Sequence, residues 1–275
     1  MNVQKLASFT YQGDGGNPAG VMIGEELPDP AVMQDIAAEV GFSETAFAAP
    51  KGDGFRVRYF APLAEVPFCG HATIALGAAL GEAFGEGQYD LVLNDAEISV
   101  TAFREDGQPG ATLVSPATSS EPLNDGILGD FLSLFGLQRS DLDPEIAHAL
   151  INGGAQHLLL PLASHGALQQ MSYDFDAGAR LMKAHGLVTI NLIWRETTSR
   201  IHSRNAFASH GVYEDPATGA AAAALAGYLR DAGIQSGPFE VLQGAEMGAP
   251  SLLRVVPQAG RGAPIDISGT TRALA

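Results

Sequence analysis

The chain has 275 residues, with 31 acidic against 15 basic side chains and a net charge of −16. That balance argues against nucleic acid and anionic membrane surfaces as partners. A single cysteine rules out an internal disulfide and suits a reducing, cytoplasmic compartment. The start lacks a basic segment followed by an apolar one, so no signal peptide is expected. Uncharged runs such as Val66 to Gly81 contain Pro, Gly and His and fall short of the roughly 20 apolar residues of a membrane span.

Val3 to Phe9 reads as an opening strand and Ala19 to Ile23 as a second, joined by the loop Tyr11-Gln12-Gly13-Asp14-Gly15-Gly16-Asn17-Pro18. The loop is not a dinucleotide fingerprint, because Pro18 stands where a third glycine belongs and no βαβ helix starts there. It is either a tight turn or the lining of a cleft. Asp29-Pro30 starts a helix by cap and first-turn chemistry, and the spacing Val32, Ile36, Ala37, Val40 carries it to Gly41. Phe42 to Ala49 is expected as a strand whose alternation puts Phe42, Glu44, Ala46 and Ala48 on one face. A carboxylate on such a face is partly desolvated, the setting in which general acid–base groups work; the alternative is an edge strand with a solvated Glu44. Phe55 to Phe60 follows, with Arg56 and Arg58 on its exposed face. After a helix opening near Cys69-Gly70-His71, Gln88 to Leu93 and Ile98 to Phe103 form a hairpin about Asn94-Asp95, extended by Ala111 to Val114. Ala117 to Asp125, rich in Ser, Thr, Pro and Asn, is the expected linker.

In the second half, helical patterns cover about 126–136 and 174–185, with strands near Gln156–Leu160, Leu187–Trp194 and Arg200–Phe207. A second Ala-rich helix runs from about Thr218 to Asp231, and strands near Phe239–Gln243, Leu252–Val256 and Ile265–Ser268 close the chain. The halves look like copies. An offset of 145 lays Thr73 on Thr218 and Gly41 on Gly186, each glycine closing a helical pattern ahead of an apolar strand. The expectation is an α+β protein of two similar domains, 1–118 and 119–275, each a mixed sheet wrapped around one helix buried all round. A turn of small residues opens each of those helices, and the free N–H groups and positive dipole end there form an anion site.

No His or Cys pair has the spacing of a metal site, and a Walker A lysine and a G-x-S-x-G elbow are missing. No metal is therefore expected. Cys69-x-His71 invites a nucleophile reading, but residues two apart on one turn do not usually aim at each other, and a small buried thiol is the plainer reading. The candidates that remain are Glu44, His71 and Asp215. His71 lies at a helix N-terminus, where it can donate or accept a proton. Asp215, before Pro216, is alternatively a simple N-cap. Under the offset Glu44 falls on Thr189, so one half alone carries the acid. Two opposed acid–base groups make a racemase; one carboxyl group suits a proton moved between two carbons on one face.

Four stretches carry a family resemblance: Asn17-Pro18-Ala19-Gly20-Val21, Ser43-Glu44-Thr45-Ala46-Phe47, Val66-Pro67-Phe68-Cys69-Gly70-His71-Ala72-Thr73 and Glu214-Asp215-Pro216-Ala217-Thr218-Gly219. In kind and order they resemble the phenazine biosynthesis PhzF-like proteins, which have the diaminopimelate epimerase fold. The resemblance implies two similar domains with the site in the cleft between them. It also implies a cofactor-free isomerase, commonly a homodimer, acting on a small carboxylate-bearing molecule. In the phenazine enzyme the family glutamate, here Glu44, shuttles a proton in isomerising a dihydro-hydroxyanthranilate, assisted by the positions of His71 and Asp215. Substrate-binding positions by the same resemblance are Asn17, Ser43, Gly70, Ala72, Thr218, Gly219 and Ala220.

Two departures stand out. Ala220 replaces a serine common in the family, and Gly248-Ala249-Pro250-Ser251 has Ala249 where the family usually has arginine. Cys69 holds the motif position of one of the two cysteines that diaminopimelate epimerases use as opposed bases, whereas the second half offers Pro216. The alternatives to an isomerase are an epimerase or racemase of an amino or hydroxy acid, and a catalytically silent homologue that binds a small molecule.

Overall fold

The computed structural model of the chain describes residues 3–275. Its internal contacts divide it into two units, Met1–Val114 with Ser268–Ala275, and Ser115–Ile267. The expected division at residue 118 left the last residues with the second half. Instead they return to the first unit, for a reason that lies in strand pairing.

The first unit contains β1 (Gln4–Ser8), β2 (Asn17–Ile23), α1 (Pro30–Val40), β3 (Thr45–Lys51), β4 (Gly54–Phe60), β5 (Glu65–Val66), α2 (Gly70–Phe84), β6 (Gly87–Val92), β7 (Glu97–Glu105) and β8 (Gln108–Val114). Hairpin neighbours pair antiparallel: β1 with β2, β3 with β4, β6 with β7 and β7 with β8. Where a helix intervenes the pairing turns parallel, β2 with β3 across α1 and β4 with β6 across α2. A helical crossover is what a parallel connection needs.

The second unit repeats that grammar. Its elements are β9 (Ser119–Pro122), α3 (Asp125–Leu134), β10 (Ala149–Asn152), β11 (Gln156–Pro161), α4 (His165–Gln169), α5 (Phe175–Ala184), β12 (Thr189–Thr197), β13 (Arg200–Ala206), β14 (Glu214–Asp215), α6 (Gly219–Asp231), β15 (Phe239–Gln243), β16 (Ser251–Pro257) and β17 (Ile265–Ala273). Here β11 pairs parallel with β12 across α5, and β13 parallel with β15 across α6. Antiparallel pairs join β9 to β10, β10 to β11, β12 to β13 and β15 to β16. The final strand β17 ends in the first unit, where it pairs with β1 and β8. The first unit's sheet thereby closes on itself, which removes its open edges.

Each unit packs its strands on one central helix, α2 against β1, β2, β7 and β8 and α6 against β9, β10 and β16. His71 to Leu80 and Ala221 to Gly227 are buried without interruption. An Ala-rich helix has no thick side chain to hold strands away, and its glycines bring them closer still. A Cβ on Gly77 would stand 2.5 Å from Val100 Cγ2 and 2.8 Å from Ala111 Cβ, and one on Gly227 would run into Thr118.

Gly41 caps α1 in the left-handed region at φ 73°, and Gly186 follows α5 at φ 63°. The paired glycines thus do the same work in each half, as the offset implied. Asp29 precedes α1 but makes no side-chain cap bond. The strand expected over Phe42 to Ala49 begins at Thr45 and runs to Lys51, and Thr45 to Ala49 are all buried. Simple alternation fails there because β3 lies between β2 and β4 and both α1 and α2 pack against it. The expected linker is in part a strand, since Ser119 to Pro122 pair with β10.

Candidate active site

Glu44 sits at the end of the turn that leads from Gly41 into β3, its carbonyl accepting the N–H of Gly20 at 3.1 Å. Gly20 is glycine for a local reason, because a Cβ there would lie 2.6 Å from Thr45 Oγ1. The Glu44 side chain keeps 21% of its exposure. It is thus neither core nor solvated edge.

Cys69 is the N-cap of α2, with extended backbone at φ −146° and ψ 116°, and His71 is the second residue of the helix. Cys69 makes no side-chain cap bond to the first turn, and its side chain meets that of His71 although the two are only two apart. Cys69 Sγ lies 3.3 Å from His71 Nδ1 and 3.3 Å from Glu44 Oε2. The expectation that the thiol and imidazole point apart is therefore corrected. That expectation placed both residues on one turn, whereas Cys69 has extended backbone and His71 is helical. His71 Nε2 lies 3.5 Å from Glu44 Oε2 and 3.3 Å from Ser43 Oγ. Carboxylate, thiol, imidazole and hydroxyl thus form one cluster.

The start of α2 is pinned from behind. Thr73 Oγ1 donates to the Cys69 carbonyl at 2.7 Å, leaving Thr73 to accept from Tyr59 Oη at 2.7 Å. Burial pushes the Tyr59 phenol well above its ordinary range, partly offset by that Thr73 bond, so Tyr59 stays a neutral donor. Ser8 Oγ donates to the His71 carbonyl at 2.7 Å. Asn17 is buried opposite Ser8 in the β1–β2 ladder. Gly70 opens α2, and Ala72 is fully buried, so its methyl group packs into the core.

In the second unit Asp215 belongs to β14, paired with Asn205. The N-cap of α6 is Thr218, whose hydroxyl donates to Asp215 Oδ2 at 2.5 Å. Asp215 is therefore not the helix cap. Gln243, buried at the end of β15, holds this turn: its Nε2 donates to the Asp215 carbonyl at 2.7 Å and to Thr218 Oγ1 at 3.0 Å, and its Oε1 accepts from the Thr218 N–H at 3.3 Å. Gly219 and Ala220 are the first residues of α6 and half-buried. Glu214, one residue before Asp215, is buried and paired with Arg204, Nε to Oε1 at 2.9 Å, while Arg204 Nη1 donates to the carbonyls of Gln169 and Met171.

Thr189, the counterpart of Glu44 under the offset, is wholly buried. It donates to Asn205 Oδ1 at 2.8 Å and therefore accepts from His157 Nδ1 at 2.7 Å. That fixes the His157 proton on Nδ1 and leaves Nε2 buried with no partner. Burial pushes His157 down to about 3, so it stays neutral. The second unit has packed a neutral polar network where the first carries its acid.

Sequence reasoning missed the contact of Cys69 with Glu44, and it missed Gln243. The signal for Gln243 was present: Phe239, Val241 and Gln243 alternate inward, which puts an amide at a core position. Glu44, Cys69 and His71 also offer three ligand atoms within 4.8 Å of one another, a metal-capable set that sequence spacing gave no sign of.

Glu44, Cys69 and His71 thus form a compact cluster of titratable groups on a mixed α+β scaffold. The profile of the phenazine biosynthesis-like proteins matches residues 6–273. A trans-2,3-dihydro-3-hydroxyanthranilate isomerase from Pseudomonas fluorescens is 33% identical over 246 residues, covering 86% of this chain and 84% of that one. A predicted epimerase from Pseudomonas aeruginosa superposes with a TM-score of 0.84 at 26% identity, covering 99% of this chain and 96% of the other. A phenazine biosynthesis protein of the PhzF family from Bacillus anthracis superposes with a TM-score of 0.85 at 23% identity over the same shares. The chain belongs to the phenazine biosynthesis-like family and is an enzyme of the isomerase class. Among the described residues no helix is long and apolar enough to cross a membrane.

Proposed function

We propose that this protein is a cofactor-independent isomerase that moves a proton between two carbons of a small carboxylate-bearing substrate, with Glu44 as the acid–base group. The observation that carries the reading is the Glu44 carboxylate, partly shielded yet accessible, within reach of Cys69 Sγ and His71 Nε2. A carboxylate so placed can take a proton from a carbon acid and return it to a neighbouring carbon, while His71 polarises or steadies it. The P. fluorescens relative acts on a dihydro-hydroxyanthranilate, and we propose cyclic, amino- or hydroxyl-bearing carboxylates of that size as the substrate class. Asp215 and the turn Thr218-Gly219-Ala220 are proposed to assist and to bind substrate, on the family resemblance and on the helix start they form; Asn17, Ser43, Gly70 and Ala72 keep their proposed binding roles on the same resemblance. Gly219→Val tests the turn by the dissociation constant of any bound carboxylate. The chain is further proposed to work in the cytoplasm as a homodimer, the first on its charge and cysteine content, the second on the resemblance. Light scattering on the purified protein tests the dimer.

The experiment is proton exchange. In deuterated water the enzyme should place solvent deuterium at the receiving carbon of a converted substrate, and Glu44→Gln should stop this. Conversion without any solvent or transferred label would sink the reading. A second reading, epimerisation through the thiol, is favoured by one contact, Cys69 Sγ at 3.3 Å from His71 Nδ1. Cys69→Ala separates the two: the isomerase keeps most of its turnover, and a thiol-based epimerase loses it.

A further inference from the structure

Aligned on their N-caps, the starts of α2 and α6 share one plan. They read Glu65-Val66-Pro67-Phe68-Cys69-Gly70 and Glu214-Asp215-Pro216-Ala217-Thr218-Gly219. In each, the leading glutamate pairs with an arginine of the preceding long strand, Glu65 with Arg58 and Glu214 with Arg204. In neither does the N-cap side chain bond the first turn of its helix. Each N-cap donates to a carboxylate instead, Cys69 Sγ to Glu44 Oε2 at 3.3 Å and Thr218 Oγ1 to Asp215 Oδ2 at 2.5 Å. A threonine at an N-cap ordinarily accepts from the N–H of the second or third helical residue. Its diversion here has a visible cause.

That cause is Gln243, buried at the end of β15. Its amide can face only one way: the Asp215 carbonyl only accepts and the Thr218 N–H only donates, so Nε2 meets the first and Oε1 the second. The second Nε2 proton goes to Thr218 Oγ1 at 3.0 Å. The hydroxyl, accepting there, turns its own proton to Asp215 Oδ2. We propose that Thr218 is a positioning residue for Asp215, set by Gln243, and that its hydroxyl serves this carboxylate and not the substrate. Oδ2 is thereby kept as an acceptor, and any proton that Asp215 exchanges with a substrate is carried on Oδ1. The hydrogen-bond chain stands on geometry alone, while its bearing on turnover rests on the proposed reading that Asp215 assists Glu44.

The test reads the Asp215 carboxyl carbon by nuclear magnetic resonance in protein made with carbon-13 aspartate, its signal identified by its loss in Asp215→Asn. A hydrogen bond to a carboxylate favours the ionised form. Thr218→Val should therefore move the titration midpoint of that signal up by about one pH unit, the size expected of a hydrogen bond to a charged group. Thr218→Ser, which keeps the hydroxyl, should titrate with the parent. Gln243→Met should move the midpoint up in the parent and not at all in Thr218→Val, because it acts through Thr218. Glu214 and Arg204, the charged pair beside this turn, are intact in every variant. Thr218→Ala and Gln243→Leu replace the first choices if circular dichroism shows either unfolded. A parent-like midpoint in Thr218→Val, or a Gln243→Met shift that survives in Thr218→Val, overturns the proposal. Midpoints that move as expected, while Asp215→Asn converts trans-2,3-dihydro-3-hydroxyanthranilate as fast as the parent, support the hydrogen-bond chain and overturn the assisting role of Asp215 instead.

Discussion

At the scale of single residues the proposed proton transfer rests on a side chain that the fold keeps neither wet nor dry. Glu44 retains about a fifth of its exposure beside a thiol and an imidazole. Glu44→Gln keeps the shape and both neighbours but removes the proton acceptor. Turnover should fall by about 10²–10⁴, the range typical of a general acid–base group, while the unfolding midpoint in urea stays close to the parent's. An unchanged rate would assign the proton transfer elsewhere. Gln243 acts on geometry and touches no reacting atom that the fold reveals. Its amide satisfies the Asp215 carbonyl and both the N–H and the hydroxyl of Thr218. Gln243→Ala leaves buried groups unmatched and should cost about 1–3 kcal/mol of stability. Equal stability of variant and parent in denaturant titration would show that water replaces the amide.

At the scale of elements, each unit depends on how closely strands approach its central helix. Gly77 in α2 faces Val100 and Ala111 with no room for a methyl group. Gly77→Val should therefore force α2 off β7 and β8 and destabilise the protein by about 1–3 kcal/mol or more, in line with other overpacked cores. A midpoint within error of the parent's would mean the strands yield. The segment leading into β14 is held differently, by the buried pair Arg204–Glu214, whose guanidinium also serves the carbonyls after α4. Arg204→Met leaves Glu214 buried without its cation, a loss of about 3–5 kcal/mol in comparable cases. The double variant Arg204→Met with Glu214→Leu should recover much of it, and a failure to recover would place the cost in the freed carbonyls.

At the scale of the whole molecule, stability should carry a signature of His157. Its folded value is pushed down to about 3 from 6.5 because it is buried without a charge partner. Above pH 6.5 neither folded nor unfolded chain binds that proton. Below it the unfolded chain takes the proton first, so stability falls as pH drops from 6.5 towards 3, by up to about 1.4 kcal/mol per pH unit. His157→Gln removes the titration while keeping a donor for Thr189. Urea unfolding of both proteins between pH 4 and pH 7 should show a shallower acid slope for the variant. Parallel slopes would mean that His157 is protonated in the folded state.

Much of this was written in the sequence. The helix stops at Gly41 and Gly186, the two Ala-rich helices and the Asn94-Asp95 hairpin all follow from local chemistry, because caps, periodicity and turn residues act over a few positions. The repeat of Thr73 on Thr218 pointed to a duplicated plan, and both halves do share one order of parallel and antiparallel pairs. What the sequence could not settle depends on partners distant along the chain. The start of β3 at Thr45, not Phe42, is decided by strands on both sides of it. The membership of Ser119 to Pro122 in a strand is decided by β10, and the return of the final residues to the first unit by β1 and β8. Cys69 turned from packing residue to neighbour of Glu44 because its own backbone is extended and a loop 25 residues earlier brings the carboxylate to it. Periodicity reports which face of an element is apolar. Which other element meets that face, and at what distance, is fixed only when the chain closes on itself.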